Sequence, residues 1–281
     1  MEGRENSVPS VVNTKRGITT LPLAFKHHPG LVAYITCGDP DLDTTRDVVL
    51  AAIRAGADII ELGVPFSDPV ADGPVIQRAS ERALRHGTTL AGVLNVAAQI
   101  RQHSDAGIIL FSYLNPILQF GLDKFCSAAA EAGADGALVT DLPVEEAGDY
   151  LRAMKAHKLA PVFLAAPTST DDRLRAIARH SRGFIYAISR TGITGARQEI
   201  AADARSLVER LRPHTRLPIA VGFGVSTPEQ FAEVGSFADA AVIGSAIVQR
   251  IEQHPGREAD AVAEFLSSLT ATKQQPAATG S

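Results

Sequence analysis

Eight short apolar runs, each followed by a longer amphipathic one, constrain this chain more than any other feature. The runs are LVAYITC (31–37), DIIELG (58–63), GIILFSY (107–113), DGALVTD (135–141), APVFLAA (160–166), GFIYAIS (183–189), LPIAVGF (217–223) and DAAVIGS (239–245). Near-continuous apolarity with many β-branched residues suits parallel strands covered on both faces. Between them lie helical patterns such as TTRDVVLAAIRAGA, VEEAGDYLRAMKAHK and ADARSLVERLR. Eight strand–helix units predict an α/β chain folded as a closed (β/α)₈ TIM barrel. The barrel is expected to take all 281 residues as one domain, with extra short helices and flexible tails at about 1–15 and 271–281. The length fits, since such barrels take ~250 residues. An open doubly wound sheet is the alternative, but no G-x-G-x-x-G follows the first run.

A faint repeat supports the barrel. AGADIIELG (55–63), AGADGALVTD (132–141) and SFADAAVIGS (236–245) each pass from a helix end through a small residue and Asp into a strand. Ala71 to Ser104 is too long for one barrel helix. It reads as a loop, a helix over 75–85, a Gly87-Thr88-Thr89 break with Thr89 as N-cap, and then the barrel helix. The first thirty residues are expected to supply a short helix under the barrel.

Composition removes several classes of function. The net charge is −4 with no Lys/Arg block, which speaks against nucleic acid or anionic membranes as partners. Trp is absent and aromatics make up 5%, so base-stacking platforms are not indicated. Two cysteines, Cys37 and Cys126, imply no disulfide framework. The polar N-terminus lacks a secretory apolar core, and no run reaches the ~18 apolar residues of a membrane span. A cytoplasmic protein is expected.

In a TIM barrel the chemistry gathers where strands end and in the loops just after them. Glu61 closes the second run, and Asp72 follows eleven positions later in a loop stiffened by Pro65, Pro69 and Pro74. Two carboxylates held in different surroundings can keep different pKa values and run acid and base chemistry at one pH. No lysine ends a run, so Schiff-base chemistry lacks a nucleophile. No histidine does either, which argues against a zinc or two-metal site. Three glycine-rich loops follow runs six to eight: SRTGITG (189–195), GFGVS (222–226) and IGSAIV (243–248). The last two precede helices, where backbone N–H groups and the helix dipole favour a phosphate, and the first is a candidate lid. Taken singly, Glu61 reads equally as part of a surface ion pair and Asp72 as a turn stabiliser. Asp141 reads as a loop-orienting residue, Cys37 as a small core hydrophobe, and Tyr34, Tyr113 and Phe223 as barrel filling.

The run E-L-G-V-P-F-S-D-P-V-A-D-G-P-V-I-Q (61–77) resembles the signature of the tryptophan synthase α subunit family. VAYITCGDP (32–40), TDLPVEE (140–146), SRTGITGA (189–196), GFGVS (222–226) and GSAIV (244–248) agree with it. The resemblance implies a lyase that cleaves indole-3-glycerol phosphate to indole and glyceraldehyde 3-phosphate by a retro-aldol route. Indole would then pass through a tunnel to a β subunit within an α2β2 heterotetramer. It implies no cofactor in this chain, and pyridoxal phosphate only in that partner. Carried over, Glu61 would protonate indole C3 and help remove the proton from the adjacent hydroxyl, and Asp72 would accept the indole N–H. Thr194 would bond Asp72 when the lid closes. Tyr34, Tyr113, Tyr186 and Phe223 would line the indole pocket, and Gly195, Gly224, Gly244 and Ser245 would bind phosphate. The Pro65–Pro69 loop, with Asp68, would face the β subunit. The N-terminal segment departs from the family's opening amphipathic helix, because Gly17, Pro22 and Pro29 interrupt it. A lyase working alone, an idle regulatory module and a phosphosugar isomerase remain as alternative readings.

Overall fold

A computed structural model describes residues 21, 24–188, 197–222 and 224–271. The expected tails, apart from Ala271, lie outside these residues, and so does most of the expected N-terminal helix. The strands are β1 (Gly30–Thr36), β2 (Ile59–Gly63), β3 (Gly107–Ser112), β4 (Gly136–Val139), β5 (Ala160–Val162), β6 (Leu164–Ala165), β7 (Ile185–Ile188), β8 (Ile219–Gly222) and β9 (Ala240–Ile243). All pair in parallel, in the order β5-β4-β3-β2-β1-β9-β8-β7-β6. The two ends of that order, β5 and β6, are consecutive in the chain and flank Phe163. The sheet is thus a nearly closed barrel whose fifth strand, expected as one run over 160–166, is divided in two. At this seam Pro161 has no N–H to give to the ladder.

Strand parity sorts the core. Val32, Ile59, Ile109, Leu138, Val162, Phe184, Ala220 and Val242 fill the barrel, with Leu21 closing it below. The alternate residues, such as Leu31, Ala33, Ile35, Ile60 and Leu62, face the helices. Around the barrel run α1 (Leu42–Arg54), α2 (Pro74–Arg85), α3 (Leu90–His103), α4 (Leu114–Phe120), α5 (Leu122–Glu131), α6 (Gly148–Ala156), α7 (Asp171–His180), α8 (Arg197–Leu211), α9 (Pro228–Gly235), α10 (Ser245–Gln253) and α11 (Glu258–Thr270). Caps start several of them as the sequence implies: Asp41 accepts from Thr44 N–H, Thr89 from Gly92 N–H, and Thr227 with Gln230 makes a capping box. Helix α2 and the Thr89 cap match expectation. Helix α4 is an addition.

The Asp of the repeat has a shared task at the floor. Asp58, Asp135 and Asp239 each accept, through Oδ2, the backbone N–H of Leu31, Ile108 and Ile219, at 2.9, 2.8 and 2.7 Å. Each also donates its own N–H to the carbonyl of that same residue. This two-point clamp ties the start of one strand to the strand before it.

Candidate active site

Glu61 lies on the inward parity of β2, with Ile59 below it and Gly63 above. Its register neighbours are Tyr34 on β1 and Ile109 on β3. It is fully buried, and among the described residues neither carboxyl oxygen has a hydrogen-bond partner. A surface ion pair is therefore not its role. Burial disfavours the charged form and pushes its pKa from 4.5 up to about 8. A carboxyl so placed is mostly protonated at pH 7.

Asp72 is handled differently. It is half-buried in the loop between β2 and α2, and burial raises its pKa from 3.8 to about 6. A hydrogen bond from Tyr113 Oη to Asp72 Oδ2, 3.0 Å, opposes the rise by stabilising the anion. The same hydroxyl accepts Ala71 N–H at 3.0 Å, so Tyr113 fixes both the loop backbone and the carboxylate. Phe66 leans on the Tyr113 ring with centroids 5.1 Å apart. Further along, Gln77 Nε2 donates to the Asp72 carbonyl at 2.9 Å. Asp72 is thus more than a turn stabiliser, because its side chain faces the aromatic cluster.

Tyr34 and Tyr186 stand within electrostatic reach of both carboxyls, whose charge adds to burial in holding each phenol protonated. Tyr34 packs edge-on against Phe111, centroids 5.0 Å apart, and its hydroxyl accepts from Thr36 Oγ1 at 3.4 Å. Two glycines make room for the phenols. A Cβ on Gly63 would overlap the Tyr34 hydroxyl, and one on Gly222 would come within 2.6 Å of the Tyr186 hydroxyl. Sequence reasoning missed Phe111 and Gly63, although the inward alternation Ile109–Phe111 and Ile59–Glu61–Gly63 carries the signal.

Gly222 and Gly244, from the two later glycine-rich loops, sit beside this cluster. Gly244 is the N-cap of α10, and Ser245 is its exposed first residue. The first N–H groups of a helix have no intrahelical acceptor, so they are free to meet an anion. Gly244 also lies against Tyr34, since a Cβ there would be 3.5 Å from the Tyr34 Cβ. The N-terminus of α10 and the aromatic cluster therefore share a wall. Gly224 has φ +82°, a left-handed conformation that favours glycine. Thr194, Gly195 and Phe223 lie outside the described residues. Asp141 accepts Leu114 N–H at 2.7 Å and orients the start of α4, and Cys37 is buried behind β1.

The sequence and the fold were compared with known proteins. A family model described as tryptophan synthase alpha chain matches residues 23–278. A tryptophan synthase alpha chain of Solibacter usitatus is 55% identical over 232 residues, 83% of this chain and 87% of that one. One from Geotalea daltonii is 48% identical over 240 residues, 85% of this chain and 91% of that one. The crystal structure of tryptophan synthase subunit alpha from Legionella pneumophila superposes with a TM-score of 0.83 at 36% identity, covering 91% of this chain and 97% of that one. A chain of the tryptophan synthase a2b2 complex of Pyrococcus furiosus gives 0.83 at 38% identity, covering 87% and 98%. With a family match over nearly the whole chain and the same barrel in its solved relatives, this chain belongs to the tryptophan synthase alpha chain family.

Proposed function

We propose that this chain is the lyase subunit that cleaves indole-3-glycerol phosphate to indole and glyceraldehyde 3-phosphate, working beside a β subunit in an α2β2 assembly. The observation that carries the chemistry is the pair of carboxyls with separated proton affinities, Glu61 at about 8 and Asp72 at about 6. At neutral pH the first holds a proton and the second does not, which is the division of labour an acid–base site needs.

The bond to be broken joins indole C3 to the first glycerol carbon. Glu61 delivers its proton to C3, and the ring becomes a cationic indolenine. Asp72, ionised, accepts the indole N–H and stabilises that cation in a site with few competing dipoles. The Glu61 carboxylate left behind then takes the proton from the hydroxyl on the first glycerol carbon. The C–C electron pair returns to the ring, releasing indole and the aldehyde, and Glu61 regains its proton. Tyr34, Tyr113, Tyr186 and Phe223 enclose the indole. Gly195, Gly224, Gly244 and Ser245 hold the phosphate, and Thr194 meets Asp72 when its loop closes. On this reading the chain needs no cofactor or metal of its own, and pyridoxal phosphate belongs to the β partner.

The β-facing surface is assigned to the loop after β2 and to α4, neighbours at the C-terminal end of the barrel. Two large apolar side chains are exposed there, Val70 and Leu118. Among the described residues no helix is long and apolar enough to cross a membrane, and a cytoplasmic location fits the proposed biosynthetic role. The test is indole release from indole-3-glycerol phosphate, with and without a β subunit. Glu61→Gln should abolish release while glycerol 3-phosphate still binds, and near-normal turnover in that variant ends the assignment. Strong stimulation by the β subunit supports the assembly. No response to it favours an enzyme that works alone.

A further inference from the structure

Asp39 lies in the turn after β1, is 2% exposed, and plays no part in the chemistry above. Arg82, near the C-terminal end of α2, grips it with a two-pronged contact, Nε to Oδ1 at 2.7 Å and Nη2 to Oδ2 at 2.8 Å. The third nitrogen, Nη1, donates to Glu252 Oε1 on α10 at 2.7 Å, and Arg78 adds a second hold on Glu252. One guanidinium thus joins the β1–α1 turn, α2 and α10. The turn also packs on the link between α2 and α3, because a Cβ on Gly38 would overlap the Thr88 side chain. Between the two helices Ala79 and Val248 close a small buried cluster over Tyr34.

These are the two helices whose N-termini carry the ends of the site. Asp72 lies just before α2, and Gly244 and Ser245 open α10. The exposed ion pairs elsewhere, such as Arg46 with Asp43, have a charge free to turn to water. Asp39 does not, and a forked guanidinium–carboxylate pair fixes orientation as well as charge. We infer that Arg82 is a positioning residue for the cleavage reaction: by holding Asp39 and Glu252 together it sets the distance between Asp72 and the phosphate seat at Gly244 and Ser245. The inference rests on the reading of the site proposed above. A ligand that spans both ends depends on that distance, whereas one that occupies only the phosphate seat does not.

The test uses the full-length chain and two ligands, glycerol 3-phosphate and 3-indolepropanol phosphate, the substrate stripped of its two hydroxyls. Binding is measured by calorimetry, and kcat and KM with indole-3-glycerol phosphate, at a temperature where circular dichroism shows each variant folded. Arg82→Met should bind glycerol 3-phosphate within about twofold of wild type, bind indolepropanol phosphate at least ~10-fold more weakly, and lose roughly 10- to 100-fold in kcat, the scale of a small misplacement. Arg82→Lys, which keeps the charge and loses the fork, should fall between. Asp39→Asn added to Arg82→Met should cost little further kcat, because both remove one contact. Equal weakening of both ligands, or no change in either together with normal kcat, overturns the inference. If Arg82→Met does not fold, Glu252→Gln at the more exposed end must show the same split between ligands, and its absence there is equally fatal. Wild type that cleaves substrate while no variant shows the split leaves the proposed function standing and removes only the clamp. Wild type that does not cleave removes both.

Discussion

Glu61→Gln should stabilise the folded protein while destroying its chemistry, and the size of the gain follows from burial. The Glu61 carboxyl has a pKa near 8 in the fold, against an ordinary 4.5. Between these values the folded state binds a proton that the unfolded state has released. Stability therefore falls as pH rises through that window, the reverse of the usual salt-bridged carboxylate. Each pH unit is worth about 1.4 kcal/mol. At pH 7 the cost is on the order of 3 kcal/mol, a sizeable share of a typical domain's stability. Glutamine keeps the shape and never ionises, so the variant escapes this cost. Urea unfolding of ligand-free wild type and variant at pH 5, 6, 7 and 8 is the assay. The two should converge near pH 5, and the variant should pull ahead steadily up to about pH 8. Parallel profiles, or a variant less stable than wild type at pH 8, would refute an ionisable, buried Glu61 with no partner among the described residues.

Three further outcomes can be checked. Asp72→Asn should lower kcat by roughly 10²–10³-fold, the scale of one well-placed electrostatic group, with KM little moved; an unchanged kcat removes Asp72 from the mechanism. Tyr113→Phe deletes the donor that holds the Asp72 pKa down, so the acid limb of the kcat/KM profile should move to higher pH, read by stopped assays across pH 5–8. Gly222→Ala should cost ~1–3 kcal/mol by overpacking against the Tyr186 hydroxyl, and Tyr186→Phe in the same chain should recover most of that in thermal melts.

Much of the barrel was legible because strand and helix periods differ and the eight apolar runs each met a helical pattern. What was not legible depends on contacts between distant segments. The division of the fifth strand leaves no trace in APVFLAA beyond Pro161. Helix α4 was hidden by Pro116, which reads as a breaker although the first turn of a helix tolerates proline. At the site, the parity of β2 pointed Glu61 inward, but its want of a partner depends on side chains from other strands. The bond from Tyr113 to Asp72 spans 41 positions, and no local pattern announces it. Arg82 reads in sequence as one more charge on the wet face of a helix, and only the fold brings Asp39 beneath it.

Burial alone does not give the two carboxyls their roles, since it raises both. The difference comes from the more complete burial of Glu61 and its higher ordinary value, widened by a hydrogen bond: Asp72 receives one from a phenol, and Glu61 receives none from the described residues. That asymmetry places neutral pH between about 6 and about 8, where one group is charged and the other is not. A donor introduced beside Glu61 would pull its pKa down toward that of Asp72 and leave the site without its acid, even with both carboxyls in place. In the proposed mechanism the want of a hydrogen-bond donor to Glu61 among the described residues therefore matters as much as the carboxyl itself. Glu61, Gly63, Tyr34 and Phe111 are brought together by the same strand parity that builds the barrel.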